Sequence, residues 1–286
     1  MAFLNNYPPS LITGLTLEFT RQPCTRQTFT TMESLITAAR TIQTQLTRNS
    51  TTNQYLLVQN LPTDMLNSLI EDKNALDGIT FRFTFEGSTG LIKIIPAKHT
   101  AVTRELAKTI LLECLLAGVP SKEEIYWTGG STAPTMYKAA AGDANSKDKG
   151  KQPDDSFLPL TRQPHGWPTL VIESGIPQSL PRLREDAKWW FETSAGAVRS
   201  VLLLGINTDI RTIEVEKWAF GHTHACPIRA PYLVQSVTVS PRGVEGGAAV
   251  MIRFRELFCR PRKWDDEERD ILLGGKGLAD VVRVLD

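Results

Sequence analysis

Residues 151–206 read KQPDDSFLPL TRQPHGWPTL VIESGIPQSL PRLREDAKWW FETSAGAVRS VLLLGI. The architecture turns on this stretch. Pro153-Asp154 heads a short strand expected over 153–158. The breaker-rich TRQPHGWP then turns the chain. Residues 169–173 form a second strand, apolar until it closes on Glu173, and such an uninterrupted run suits a central strand covered on both faces. Ser179 is the expected N-cap of a helix, with Pro181 tolerated in its first turn. The helix runs to about Ser194, Ala195-Gly196-Ala197 ends it, and 198–206 is a third apolar strand.

Strand alternation sorts the side chains of this stretch. Asp154 shares a face with Ser156, and Asp155 shares the other with Phe157, which should point to the core. Glu173 shares its face with Val171 and Thr169. If the two strands pair, Asp154 and Glu173 meet at a sheet edge. Two adjacent carboxylates do not both ionise readily without a cation, and hard oxygen ligands select Mg²⁺ or Mn²⁺. Such a metal polarises a phosphate and acidifies a bound water. On the helix, Leu183, Ala187, Trp190 and Phe191 form the apolar face. Arg184 and Lys188 lie one turn apart on its border, while Arg182 and Glu185 are expected to face water. Two acids with a base are what a metal-dependent phosphodiesterase needs. Glu173 has a structural alternative, a salt bridge to Arg184 or Lys188. Trp189-Trp190 reads as core packing with partial cover of a neighbouring element.

Outward from this stretch the signals are those of a mixed helix and strand protein. Helical spacing covers 32–46, with Leu35, Ile36, Ala39 and Ile42 on one face. A strand is expected over 55–58, and a helix from Thr63 with Met65, Leu66, Leu69 and Ile70 apolar. Residues 80–85 and 91–95 flank EGSTG as a hairpin, with Phe81, Phe83 and Phe85 on one face. The helix expected over 99–116 buries Val102, Leu106 and Ile110 and stops at Gly118 and Pro120. Residues 127–150 are rich in breakers, and AAAGDANSKDKGK reads as an exposed loop. Further strands are expected over 211–220, 232–239 and 248–258. The run DDEERD reads as a solvated helix face. The segment ILLGGKGLADVVRVL after it reads as either a docked helix or an extension. His222, His224 and Cys226 fall short of zinc spacing and read as a surface turn. His99 and His165 are isolated and read as structural.

The 286 residues suffice for one large domain or two small ones. The net charge of +1 excludes a global basic field, so any nucleic-acid contact rests on a local patch. The four cysteines, Cys24, Cys114, Cys226 and Cys259, form no CxxC pair and fit neither zinc nor a secreted disulfide framework. Reduced thiols in an intracellular protein, cytoplasmic or nuclear, are expected. The opening MAFLNNYPPS lacks the charged and apolar regions of a signal peptide, and no apolar run reaches the length of a membrane span.

The order helix, strand, PD, strand, ExG, helix, strand resembles the PD-(D/E)XK superfamily, the restriction-endonuclease-like fold. The wording PDDSF, GWPTLVIESG and SLPRLREDAKWW resembles a group of fungal proteins with the same motifs, over about residues 99–218. The resemblance implies an α/β (α+β) fold, a mixed sheet flanked by helices. The expected domains are an N-terminal α+β extension over 1–95, the core over 96–260 and a charged C-terminal extension over 261–286. It implies Asp154 and Glu173 as acids for Mg²⁺ or Mn²⁺, and Glu105 as the acid some members place on the first helix. Gly175 stands where the superfamily usually has Lys. Lys188 sits where a migrated base would be, and Arg184 is the reserve. The implied activity is cleavage of DNA or RNA, with a homodimer as one expected assembly. The alternative is a catalytically inactive module that binds a partner or nucleic acid. A third reading is an unrelated α+β enzyme with a small-molecule pocket.

Overall fold

The protein is described from a computed structural model, which describes residues 23–119, 136–138, 148–163, 166–223, 226–245, 249–263 and 268–286, without the side chains of 222–228. The expectations for 1–22, for most of AAAGDANSKDKGK, and for His165, His222, His224 and Cys226 lie outside these residues and side chains. The class is mixed α and β, with two larger sheets and helices flanking them. The chain divides into two units, residues 1–96 with 136–152, and residues 97–135 with 153–286.

The first unit holds a six-stranded sheet in the order β1-β2-β4-β3-β6-β5. Its strands are β1 (Thr25–Thr28), β2 (Tyr55–Gln59), β3 (Phe81–Glu86), β4 (Thr89–Ile94), β5 (Tyr137–Lys138) and β6 (Lys149–Lys151). Helix α1 (Met32–Thr47) starts at an N-cap Thr31, whose hydroxyl accepts from Ser34 N. It buries Leu35, Ala39, Ile42 and Leu46, a single stripe at helical spacing. Helix α2 (Thr63–Glu71) adds Leu69 to the same core. Phe81, Phe83 and Phe85 all point into it, as their alternation requires.

The segment 136–152, expected as part of the core region, instead completes this sheet: β6 pairs with β3 and β5 with β6. Gln152 secures the return, accepting from Phe83 N through Oε1 and donating to Ile70 O through Nε2.

The second unit is built on a sheet in the order β12-β11-β10-β9-β8-β7. These are β7 (Asp155–Phe157), β8 (Leu170–Gly175), β9 (Ser200–Asn207), β10 (Thr212–Thr223), β11 (Cys226–Ser240) and β12 (Gly243–Val244). Strands β7 and β8 are antiparallel, and β8 runs parallel to β9 after the crossover helix α4 (Leu180–Thr193). Helix α3 (Ala97–Leu116) packs on the opposite side of β8 from α4. Leu170, Val171 and Ile172 are fully buried, as a centrally placed strand demands. Burying each stabilises the fold by about 1.5–3 kcal/mol.

Helix α4 ends where Ala195 and Gly196 adopt positive φ of 50° and 76°. Ser179 precedes the helix, but its hydroxyl donates to Ile176 O and does not cap α4, because its backbone is already helical.

The last part of the chain corrects one expectation and meets another, the docked helix after residue 260. Residues 248–258 are not one strand: β13 (Val250–Ile252) is followed by α5 (Phe254–Phe258), and β13 pairs with β14 (Ile271–Leu273). The segment after 260 is integral to the second unit. Asp270 accepts from Phe254 N and so caps α5. Helix α6 (Gly275–Arg283) sends Leu278, Val281 and Val282 into the main core. Gly277 permits its close approach to α3, since a Cβ there would lie 2.9 Å from the Thr109 methyl.

Candidate functional site

The register of β7 and β8 positions the two acids. Asp155 lies opposite Ile172, Ser156 opposite Val171 and Phe157 opposite Leu170. Asp154 lies one residue before β7, and its carboxylate reaches Ser174, the residue after Glu173 in β8. Both acids are buried, at 4% and 1% exposure. Asp155 falls on the other face with Phe157, and its Oδ1 accepts from Ser156 N.

Each acid is held by donors on β8 or on the covering helix. Asp154 Oδ2 accepts from both the backbone N and the hydroxyl of Ser174, at 2.7 Å each. Glu173 Oε1 accepts from the indole Nε1 of Trp190, at 2.9 Å. Trp190 is fully buried in α4. Its ring meets Trp189 and Trp167 edge-on, with centroids 5.0 and 6.2 Å away.

The expected bases lie on another flank of α4. Arg184 reaches Glu216 of β10, with Nε 3.1 Å from Oε2 and Nη2 2.5 Å from Oε1. Glu216 is 1% exposed and also accepts from Trp218 Nε1. The hydrogen bonds to Glu216 raise Arg184 further above its ordinary pKa, against the opposing effect of burial. Lys188 pairs with Glu185 at 2.6 Å, both half-exposed.

Helix geometry accounts for this separation. Lys188 and Trp190 are two residues apart, so at about 100° per residue they project to nearly opposite sides. The helix therefore turns Trp190 to β8, and Arg184 to β10, two strands away. Glu173 and Glu216 both register with Leu203 and so stand in one row across the sheet under α4.

Arg182 corrects an expectation. It does not face water but forms a buried ion pair with Asp186 at 2.9 Å, each side chain 3% exposed. Glu105 of α3 is partly buried and pairs with Lys108 of the same helix at 3.0 Å. Gly175 lies on the Glu173 face by alternation and has no side chain to supply a base there. His99 is buried in α3.

The DDEERD run is not a solvated helix face in its described part. Glu268 is buried and paired with Arg260, whose guanidinium also covers the Phe254 ring at 4.7 Å.

Two buried charges of β10 are not expected from the sequence. Glu216 lies in a strand whose alternation is visible only for Ile213, Val215 and Lys217. Lys217 itself is 3% exposed and bonds Met251 O and Glu256. A charged residue on the apolar register of β10 is the available signal for this buried cluster.

Asp154 and Glu173 each carry carboxylate oxygens shielded from bulk water, the donor type that a hard divalent cation takes. No group of three or more His, Cys, Asp or Glu that could hold a metal ion occurs among the described residues. No protein-family model and no curated protein matches the chain. No helix among the described residues is long and apolar enough to cross a membrane.

Proposed function

We propose that the second unit is a metal-dependent phosphodiesterase module of the restriction-endonuclease-like kind, acting on DNA or RNA in a cytoplasmic or nuclear setting. The observation that carries this reading is the burial of two carboxylates, Asp154 immediately before β7 and Glu173 within β8. They would hold one Mg²⁺ or Mn²⁺. When bound, that ion would polarise a phosphate oxygen and lower the pKa of a water. Helix α4 with β8 keeps bulk water from Glu173. Neither Arg184 nor Lys188 is given a role at the phosphate in this reading, since their ion pairs lie on the other flank of the helix.

That same disposition favours a second reading: a catalytically inactive module of the same fold that binds a partner or nucleic acid. Gly175 in place of the usual base points the same way.

One experiment separates the two. Purified protein is incubated with single-stranded and double-stranded DNA and RNA in Mg²⁺ or Mn²⁺, beside D154N and E173Q. Cleavage lost in both variants supports the first reading. Retention of nucleic acid without cleavage supports the second. Equal cleavage by wild type and variants overturns the assignment of the acids.

A further inference from the structure

Helix α3 is apolar on two sides. On its inner side Val102, Leu106, Ile110 and Cys114 are buried in the main core, as one stripe at helical spacing requires. The outer side has no such partner among the described residues. Leu112, Leu115 and Leu116 stand at i, i+3 and i+4, so they share one face of the last two turns. They are 49%, 39% and 63% exposed. A single exposed leucine needs no explanation, whereas a contiguous cluster of them points to a contact.

The helix that presents this face is fixed at two points along its length. Helix α6 approaches closely at Gly277, beside the Thr109 methyl. Lys98, in the first turn of α3, donates to Leu285 O at 2.6 Å.

The same face is charged one turn earlier. Glu105, Lys108, Leu112 and Leu115 follow the 3-4-3 spacing of a helix seam. Glu105 and Lys108 pair at 3.0 Å, and the lysine side chain is 61% exposed. The outer face of α3 thus has a charged half and an apolar half, and this division selects its occupant. Two copies laid parallel would set Lys108 against Lys108. Laid antiparallel about a two-fold axis through Leu112, they set Leu112 on Leu112, and Lys108 falls one turn away, level with Leu116 of the second copy. The last turn of α3 carries no base. Its negative end therefore lacks a cation of its own turn, and Lys108 of the second copy would supply one.

We infer that the outer face of α3 is a self-association surface, on which a second copy of this chain packs antiparallel through Leu112, Leu115 and Leu116. The inference does not depend on the phosphodiesterase reading. Three leucines fall short of the about 800 Å² per partner that a standard interface buries, so the dimer is weak, with a dissociation constant on the order of 100 µM.

Sedimentation velocity over a hundredfold concentration range, reaching several hundred micromolar, measures association of the full chain, L112E/L116E and K108Q. Thermal melts at the lowest concentration check folding. L112C and K108C, each in a C24S/C226S/C259S background, are oxidised and read as covalent dimer on non-reducing gels. On the proposed axis L112C meets its own counterpart, while K108C is held beyond disulfide reach.

The expected result is a concentration-dependent dimer of wild type, its loss in L112E/L116E with an unchanged melting temperature, and association about threefold weaker in K108Q. L112C should cross-link and K108C should not. A wild type that stays monomeric throughout overturns the inference, and so does a dimer that L112E/L116E leaves intact. Equal association of K108Q and wild type, or equal cross-linking of L112C and K108C, overturns the antiparallel arrangement. A lowered melting temperature or failed folding of L112E/L116E would show that the face is covered within the chain itself, and overturns the inference as well.

Discussion

Arg184 and Glu216 join α4 to β10 through two parallel contacts, and the carboxylate end of the pair is sealed from water while the guanidinium end is half-exposed. The pair is therefore asymmetric. Removing the arginine leaves a buried charge that keeps the Trp218 indole as a donor but loses its cation, whereas removing the glutamate leaves an arginine that water can reach.

R184M should destabilise the second unit by about 2 kcal/mol, between the values for exposed pairs and for fully buried ones. Urea unfolding followed by circular dichroism measures this. R184M/E216Q should recover part of the loss, since no buried charge remains at the pair. Mn²⁺ affinity should be the same in R184M as in wild type.

Lys188 and Glu185 offer the contrast. Both are half-exposed, so K188M should change stability by less than about 0.5 kcal/mol. Because Lys188 lies on the flank of α4 away from Trp190, K188M should also leave phosphodiester cleavage within about threefold of wild type. A loss of a hundredfold or more with folding intact would show that Lys188 does serve the phosphate.

Burial, with help from the charge of Glu113, pushes the Cys114 thiol from 9.0 up to about 12. Raised in the fold, this group favours the native state fully below its unfolded pKa. That contribution is lost as pH climbs from about 9 to about 12. Stability measured by urea unfolding at a series of pH values should fall across this window, and C114A should flatten the fall. At about pH 8, a thiol reagent should modify the exposed Cys259 in the native protein and reach Cys114 only after unfolding.

Glu268 behaves in the opposite sense. Its hydrogen bonds from Arg260 are the largest influence, burial opposes them, and Lys263 N adds a further donor. The net effect holds the carboxyl below its ordinary 4.5. Its contribution is present above the unfolded pKa and disappears as pH falls through the lower folded value. E268Q should be less stable than wild type at about pH 7, and the gap should close on acidification below about pH 4. Acid titration of both proteins by tryptophan fluorescence tests this.

Elements with an unbroken local period are legible in the sequence. The stripe Leu35, Ala39, Ile42 and Leu46 and the apolar run 170–172 each need only one spacing to identify them. Residues 250–258 imitate a single strand because Val250, Ile252 and Phe254 alternate, while Phe254, Leu257 and Phe258 already carry the helical period. The Arg182–Asp186 pair is visible as an i, i+4 relation, but charge alone argues for exposure and hides its burial. Strand alternation places Asp155 on the face of Phe157, and the register agrees. It does not reveal the hold of Trp190 on Glu173 or of Arg184 on Glu216, since both depend on where the crossover helix settles across the sheet.

The late arrival of residues 149–151 shapes synthesis on the ribosome. The N-terminal unit cannot close its sheet when residue 96 emerges, because the edge of β3 waits for β6, encoded far downstream. During that interval the nascent chain presents Thr84, Phe85 and Glu86 as an unfilled strand edge, an open template for pairing with other chains. Translation speed between residues 97 and 152 therefore sets how long the half-built unit is exposed, and truncation at residue 96 would make that transient state permanent.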